Sequence, residues 1–318
     1  MFSKQTASTP QGKFSFSDFY EKYGVIVVFL IEIVLFSMLS PVFLTAKNFI
    51  NILRQVSITG ILATGMTYVI ITGGIDLSVG AIIALVTVLS AGTLNATGSI
   101  ALALLAGLGA GTGMGILNGV GVAYGKMPAF IMTLGSTSIA SGLAFIYSQG
   151  LPQMVKGPFL QIGNGSVGPV PYPVIYFLLI ILAGHFVLRD TVFGRSVYSL
   201  GSNREATRLT GINVRKYTFF VYVISGFLAA IAGIIYTSQL GIGTAIAGSG
   251  YELNAIAATI VGGAAVNGGS GTLWGTFLGA VIIGTLGNIM NLTAVNPFIQ
   301  TFLTGIIIIL AVLIRKKK

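Results

Sequence analysis

The chain has 318 residues, of which 54% are hydrophobic and only 8% are charged, with a mean hydropathy of +0.93. This composition excludes an ordinary soluble globular domain and indicates a helical protein that crosses a membrane several times. The net charge of +10 comes from basic residues set between long apolar runs, which is typical of membrane orientation rather than nucleic-acid binding, and the absence of cysteine excludes disulfides and cysteine-ligated metals.

Ten apolar runs are long enough to be membrane spans. A span needs roughly 20 apolar residues in a helix, because lipid offers no partners to unpaired backbone groups. The pattern predicts an all-α polytopic membrane protein of about ten transmembrane helices, whose first run is retained as a span rather than cleaved. The predicted spans are residues 24–43, 48–72, 77–95, 99–124, 129–149, 172–188, 217–240, 251–266, 271–290 and 298–314.

Basic residues are distributed unevenly between the predicted loops. Six spans precede the segment 189–216 and four follow it, so both termini are expected on the same side of the membrane as that segment. Of the 17 Lys and Arg residues, all fall on this side except Lys47, Arg54 and Lys156. Because positive loops favour the cytoplasmic side, the sequence predicts cytoplasmic N- and C-termini.

This topology divides the chain into a transmembrane domain and two cytoplasmic tails. The transmembrane domain covers residues 24–314, with a cytoplasmic loop at 189–216 and a periplasmic loop at 150–171. The tails cover residues 1–23 and 315–318.

Glu32 is the one acid in the middle of a predicted span. A carboxylate such as Glu32 in the middle of a span costs about 3 kcal/mol, which the surrounding apolar side chains outweigh. We expect Glu32 to face the bundle or a partner subunit and to find a donor there, with a proton relay as the alternative. His185, near the inner end of the sixth span, is expected to be a packing residue rather than a ligand.

Two predicted spans carry glycine at four-residue spacing, which leaves one helix face almost free of side chains. Because apolar side chains gain nothing by leaving lipid for each other, such faces hold helices together by close backbone approach. Both spans are therefore expected to be central and tightly packed. The glycines are Gly107, Gly111, Gly115 and Gly119 in the fourth span, and Gly271, Gly275 and Gly279 in the ninth.

The two glycine series are followed by similar residues. Asn118 and then Pro128 follow the first series, and Asn288 and then Pro297 follow the second. The fourth and ninth spans run in opposite directions in the predicted topology, as a five-plus-five inverted repeat would require. Such repeats are common in transporters, and this one is an open hypothesis at this point.

Glycine-rich breaks separate several of the predicted spans. At Gly73–Gly80, two glycines permit a tight turn, and Asp76 or Ser78 can then cap the next helix through its free backbone amides. A contact of Asp76 with substrate or with a gate is the alternative. A second reversal is predicted at 262–271, and the Pro- and Gly-rich loop 150–171 is expected to meet a partner outside.

The basic segment, residues 189–216, is the most charged stretch of the chain and predicts a docking site for a soluble partner. Asn203 can cap a short helix over 204–210, with Ala206 and Leu209 on one face and Gly211 in the left-handed conformation that ends a helix. A helix of two turns is not stable alone, so neighbours or a partner must hold it.

No catalytic motif accompanies these features. The sequence lacks a paired-carboxylate site, a histidine-rich metal cluster and the common nucleophile and zinc-protease motifs. The phosphate-binding loop of ATPases is absent, because Gly125-Lys126 has Val120 where the first glycine belongs and Met127 in place of Ser or Thr. The chain is therefore not expected to be an enzyme, and ATP-driven transport would need a separate subunit.

Three blocks of sequence together resemble the permease subunits of ATP-binding-cassette sugar importers, in the ribose, xylose and galactose branch. These blocks are Gly73–Gly80, Gly201–Ile212 and Gly250–Gly279, within a similarity that runs from Phe43 to the end of the chain. Ribose-type permeases are the most similar. Asn254 stands where the family usually has aspartate, a change that removes a charge but keeps a hydrogen-bonding group.

The resemblance implies a multi-pass protein of the bacterial cytoplasmic (inner) membrane that works with partners. It implies a second permease subunit in a homodimer, cytoplasmic ATPase subunits that bind ATP and Mg²⁺, and a periplasmic sugar-binding protein. No cofactor of this chain itself and no nucleic-acid partner are implied. The residues similar to the coupling helix, which sits in a groove of the ATPase, are Asn203, Arg204, Glu205, Ala206, Arg208, Leu209 and Gly211.

A neutral sugar needs amide or hydroxyl partners and an aromatic face, so polar and aromatic residues of the spans are candidates for the substrate pathway. The candidates are Asp76, Asn118, Asn254, Trp274 and Asn288. Ribose is the expected sugar, with xylose, allose, galactose or a furanosyl autoinducer as alternatives. Two other classes stay open: an ion-coupled secondary transporter of a small polar solute, with Glu32 or Asp76 as coupling acid, and a channel or membrane scaffold.

Overall fold

The computed structural model describes residues 16–316, and this part of the chain is mostly helical. The predicted tails at 1–23 and 315–318 lie outside the described residues, except for the helical residues 16–23 and 315–316. The helices are α1 (Phe16–Leu39), α2 (Ala46–Ile71), α3 (Val79–Thr97), α4 (Ile100–Ala123), α5 (Ala129–Ser148), α6 (Gln161–Asn164), α7 (Tyr172–Asp190), α8 (Val192–Ser202), α9 (Arg204–Leu209), α10 (Val214–Leu240), α11 (Tyr251–Val261), α12 (Leu273–Leu292) and α13 (Pro297–Lys316).

Short strands and one 3-10 turn occur between these helices. The 3-10 turn covers Gly157–Leu160. The strands form two antiparallel pairs, β1 with β4 and β2 with β3. The strands are β1 (Gln153–Met154), β2 (Ser166–Val167), β3 (Val170–Pro171) and β4 (Ile242–Gly243).

Seven of the described helices are long and apolar enough to cross a membrane, namely α2, α3, α4, α5, α7, α10 and α12. Each overlaps one predicted span, so the prediction of an all-α polytopic protein is confirmed. Local chemistry defines their ends: Thr45, Ser99 and Thr272 accept backbone N–H groups as N-caps, whereas Gly98 and Gly241 end α3 and α10 with positive φ.

α10 lies at the centre of the bundle and packs against both α2 and α3. α4 and α5 lie against α3, and α4 also packs on α10, whereas α11 and α12 lie against α2. The contacts of one half recur in the other. The α3–α4, α3–α5 and α4–α10 contacts correspond to α11–α12, α11–α13 and α12–α2 when α2 is exchanged with α10.

Loops from one end of the bundle meet on a single surface. Gly269 donates its backbone N–H to Ile71 O at 2.8 Å, and the Tyr198 hydroxyl donates to Gly271 O at 2.6 Å. Lys126 and Arg208 line one cavity on this surface. We define the basic face as the surface formed by loops 72–78, 124–128, 189–216 and 262–272.

The other end of the bundle carries the connections predicted to lie outside. β1 pairs with β4, so that Gln153 lies opposite Gly243. Asn95, near the end of α3, donates its side-chain amide to Met154 O at 3.0 Å. We call this end the opposite face. The two faces group the loops in the same way as the predicted topology.

The predicted eighth span, 251–266, is wrong in extent. α11 has 11 residues, which is about 16 Å of helix against a hydrocarbon core of roughly 30 Å. The helix ends at Val261 because the residues that follow turn back toward α12. Glycines with positive φ at 263, 268, 269 and 271 permit this turn.

The chain nevertheless passes from the opposite face to the basic face between residues 242 and 261, as a broken segment. Residues 244–250 are non-helical, and their polar backbone must find partners inside the bundle. Thr87 of α3 supplies two of them, because its hydroxyl donates to Thr244 O at 3.0 Å and accepts from Thr244 N at 3.2 Å.

Candidate functional site

The basic segment contains α8, a helix that was not predicted from the sequence. Two glycines allow α8 to pack closely on neighbouring backbone. A Cβ at Gly194 would overlap Leu188 O, and a Cβ at Gly201 would overlap Ile71 O. Val197 and Leu200 are buried beneath the same helix. α8 therefore fixes the basic segment to the ends of α2 and α7.

The short helix α9 follows α8 directly, and its predicted cap is confirmed. Asn203 Oδ1 accepts the N–H of Ala206 at 2.9 Å, and Gly211 has a φ of +84° after the helix ends. Thr207, which is buried, shares a hydrogen bond of 2.8 Å with Ser199 of α8. The neighbouring helix therefore stabilises α9, as so short a helix requires.

The remaining surface of α9 is free for contact. Leu209 is 74% exposed, and Ala206 is exposed as well. Arg208 donates to both oxygens of Glu205, and these hydrogen bonds hold the pKa of Glu205 below its usual range. α9 thus presents a charged pair and an apolar side chain on a rigidly placed two-turn helix.

A buried polar network joins the α2–α3 turn to three helices. Asp76 Oδ1 accepts from the backbone N–H and the hydroxyl of Ser78, at 3.0 and 2.6 Å, and its Oδ2 accepts from Ser225 of α10 at 2.7 Å. Asn118 of α4 donates to Ser78 Oγ at 2.8 Å and accepts from Ser136 of α5 at 2.5 Å. Asp76 and Asn118 are therefore brought together.

The predicted capping of α3 takes a different form. Ser78 occupies the N-cap position but makes no side-chain cap bond, because its hydroxyl is committed to the carboxylate of Asp76. The network accordingly serves to tie helices together.

The other three pathway candidates lie apart from this network. Asn288 of α12 exchanges two hydrogen bonds of 2.9 Å with Asn48 of α2. Trp274 is 48% exposed beside His185 of α7 and lies about 21 Å along α12 from residue 288. Asn254 is half-buried on α11. The five candidates do not form one site.

The first glycine series lines the face of α4 that packs on α10. A Cβ at Gly111 would lie 2.6 Å from Ala230 Cβ, and one at Gly115 would lie 2.6 Å from Tyr222 O. Gly119 meets Phe219 in the same way, and Gly107 lies against Ser90 and Ile234. Much of the remaining surface of α4 is exposed, so α4 lies at the periphery of the chain's bundle. The sequence had predicted a central position for it.

The second glycine series brings α12 against α11. A Cβ at Gly275 would overlap Gly262 O, and one at Gly279 would overlap Ala258 O. Gly271 lies in the preceding loop, with a φ of +151°, and not in the helix as predicted.

Glu32 and His185 both have neighbours on adjacent helices. Glu32 is 9% exposed and lies near Thr285 of α12, and its Oε2 has no hydrogen-bond partner among the described residues. His185 and Trp274 pack with their ring centres 5.7 Å apart. In the described part of the chain, no three His, Cys, Asp or Glu side chains come close enough to hold a metal ion.

The opposite face carries a cavity of about 920 Å³ beside the predicted outer loop. It lies between the end of α3, the end of α5 and the loop 149–159. Polar side chains line part of it, including Asn95, Gln149, Gln153 and Lys156.

Several residues of these arrangements escaped the sequence analysis. Ser136 and Ser225 complete the Asp76–Asn118 network, and Asn48 pairs with Asn288. Each is a polar residue within an apolar run. Such residues usually find partners on a neighbouring helix, so their positions could have identified them as members of polar contacts between helices. Which partner each one finds depends on the packing.

Seven apolar helices with charged loops gathered on one face define a multi-pass membrane protein. Residues 48–312 match the family model described as "Branched-chain amino acid transport system / permease component". The chain therefore belongs to this family of permease components, which places it in the bacterial cytoplasmic membrane. The resemblance to sugar importers of the ribose branch is confirmed by its relatives.

Relatives of the chain match it over almost its whole length. The ribose import permease of Haemophilus influenzae is 39% identical over 98% of this chain and 97% of its own. That of Bacillus subtilis is 40% identical over the same shares, and that of Escherichia coli K12 is 41% identical over 92% of this chain and 93% of its own. No solved structure matches the chain.

Proposed function

We propose that the chain is the membrane permease subunit of an ATP-binding-cassette importer that takes up ribose. The observation that supports this most is the identity of about two residues in five, across nearly the full length, to three ribose import permeases. A binding protein outside would deliver the sugar, and separate ATPase subunits would bind ATP and Mg²⁺ and drive its passage. The chain itself would not be an enzyme.

The proposed topology has ten crossings, with both termini in the cytoplasm. The crossings are α1, α2, α3, α4, α5, α7, α10, the broken segment 242–261, α12 and α13. The recurrence of helix contacts between the two halves supports a five-plus-five inverted repeat. The transmembrane domain would cover 24–314, between tails at 1–23 and 315–318.

In this topology the basic face is cytoplasmic, and α9 is the coupling helix that sits in the ATPase. Its exposed Leu209, its capped start at Asn203 and its support by α8 favour this role. Leu209→Asp should abolish sugar uptake while leaving insertion intact. Val192→Asp, at another exposed apolar position, 63% exposed on α8, is the matched control. Normal uptake by Leu209→Asp would contradict the coupling role.

The outer loop 150–171 would receive the binding protein, and a second copy of the chain would complete the pathway. Among the pathway candidates, Asn254 is the best placed, because it lies half-buried on the broken segment. Asp76, Asn118 and Asn288 have their polar groups bonded within the chain, so in this conformation they act as ties between helices.

Uptake in cells tests the whole proposal. A host without its own ribose permease would express this chain with an ATPase and a binding protein of the ribose type. Uptake of labelled ribose would be measured in competition with unlabelled ribose, xylose, allose or galactose. We expect uptake that ribose alone suppresses strongly and that an inactive ATPase abolishes. Uptake that persists without the ATPase and disappears with a protonophore would instead indicate an ion-coupled carrier.

A further inference from the structure

A cavity of about 540 Å³ opens on the basic face, between α9, the start of α10 and the loops 72–78 and 124–128. Its volume is in the range of roughly 300–1,000 Å³ that is usual for small-molecule sites. Four cationic side chains line it, and they come from three separate parts of the chain. They are Lys126, Arg204, Arg208 and Arg215.

The chain itself compensates little of this charge. Glu205 is the only carboxylate of the lining, and it pairs with Arg208. Within residues 16–316, Lys126, Arg204 and Arg215 take part in no salt bridge. Asp76 is fully buried, and its oxygens already accept three hydrogen bonds from serines. The lining therefore carries a net charge that favours an anion.

Tyr222 adds a hydrogen-bond donor to the lining. Its side chain is 1% exposed, and its hydroxyl has no hydrogen-bond partner among the described residues. Buried polar groups are almost always paired, so an unpaired hydroxyl in a cavity lining that also holds Arg204 is a donor available to a ligand. This observation is independent of the surface charges.

Lys126 occupies an unusual backbone conformation in the turn between α4 and α5. Its φ is +55°, in the left-handed region that favours glycine. Gln149 has the same conformation at the end of α5, so the positive φ of Lys126 reflects the end of a helix and does not by itself indicate a ligand. Glycine at this position would relieve the strain and remove the charge together.

We propose that this cavity binds the phosphate group of a small anion. Arg204 and Arg215 supply planar guanidinium groups suited to two phosphate oxygens at once, Lys126 supplies a further charge, and Tyr222 donates to a remaining oxygen. The phosphate belongs either to a soluble metabolite or to the headgroup of an anionic lipid. The proposal goes beyond transport and does not depend on which sugar is carried.

Calorimetric titration of the purified full chain with inorganic phosphate tests the proposal. We expect saturable binding that Tyr222→Phe and Lys126→Gly each weaken by about tenfold, the effect of losing one hydrogen bond to a charged group. Lys156→Gly, the same change on the opposite face, is the matched control and should leave binding unchanged. Neither test variant should lower the unfolding temperature. Tyr222→Phe removes a hydroxyl that makes no hydrogen bond within the described residues, and Lys126→Gly relieves a positive φ.

The source of the phosphate is distinguished in lipid nanodiscs. If the ligand is a lipid headgroup, phosphatidylglycerol discs should weaken phosphate binding relative to phosphatidylcholine discs, and if it is soluble the two should agree. An absence of saturable binding, or equal affinity in all variants, would overturn the proposal. So would variants that bind phosphate normally but no longer co-purify with the ATPase, which would make the cavity part of a protein interface.

Discussion

Gly111 shows how a single missing side chain holds two helices together. A methyl group at this position would lie 2.6 Å from Ala230 Cβ and 2.8 Å from Gly226 O, and backbone cannot move aside locally. We expect Gly111→Ala to lower the free energy of unfolding by about 1–3 kcal/mol, as overpacking does. Thermal unfolding in detergent measures this.

Gly113 of the same helix provides the control, because nothing lies within 4 Å of an added Cβ there. Gly113→Ala should leave the unfolding temperature unchanged or raise it slightly, since alanine is the better helix former. Equal losses in both variants would mean that the effect arises from the helix itself and not from its contact with α10.

Ser78 is the residue on which the buried polar network depends. Its hydroxyl donates to Asp76 and accepts from Asn118, so Ser78→Ala leaves two buried groups short of a partner. Each such group costs about 1–3 kcal/mol, and we expect a clear fall in the unfolding temperature. Ser37→Ala, whose exposed hydroxyl bonds only its own helix, should be nearly neutral. A neutral Ser78→Ala would show that water replaces the lost bonds.

At the scale of elements, α9 depends on its cap far more than the long helices do. Asn203→Ala removes a cap worth about 1 kcal/mol from a helix of six residues. We expect a reduced ATPase stimulation by substrate, measured in reconstituted complexes, because the proposed coupling helix frays. Asn213→Ala removes the same kind of cap from the 27-residue α10, whose packing holds it, and should retain most of the stimulation.

Elements with local signals were predictable, and elements defined by packing were not. The cap at Asn203 and the stop at Gly211 are written within nine residues, so α9 could be predicted almost to the residue. α11 could not, because an apolar window does not reveal that the helix ends at Val261, or that the residues before it, 244–250, are non-helical and hydrogen-bond Thr87 of another helix. The Asn48–Asn288 pair joins positions 240 residues apart, so no local pattern shows it.

At the scale of the whole molecule, the basic face should be cytoplasmic. The chain has no cysteine, so single cysteines can report orientation without background. Leu209→Cys, at a 74% exposed position, should be labelled only after the membrane is opened, whereas Met154→Cys, 65% exposed on the opposite face, should react with impermeant maleimide in intact cells. The reverse pattern would overturn the orientation, and with it the coupling role of α9.

The orientation was predicted from the charges alone, because Lys and Arg residues report the side of the membrane without any knowledge of packing, and it stays a prediction. The pathway could not be predicted in this way. Asn118 and Asn288 were chosen as polar residues in apolar runs, yet such residues more often bond a neighbouring helix than a substrate, and both do so here.

α10 reaches from one face of the molecule to the other without interruption. Its 27 residues make a rod of about 40 Å. Four residues separate its start from the end of α9, and its end leads into β4, which pairs with β1 of the loop 150–171. An α-helix resists compression along its axis. In the proposed importer, a force applied where the binding protein docks would therefore be transmitted along this helix to the ATPase, and a movement of the ATPase would be transmitted back to the docking site.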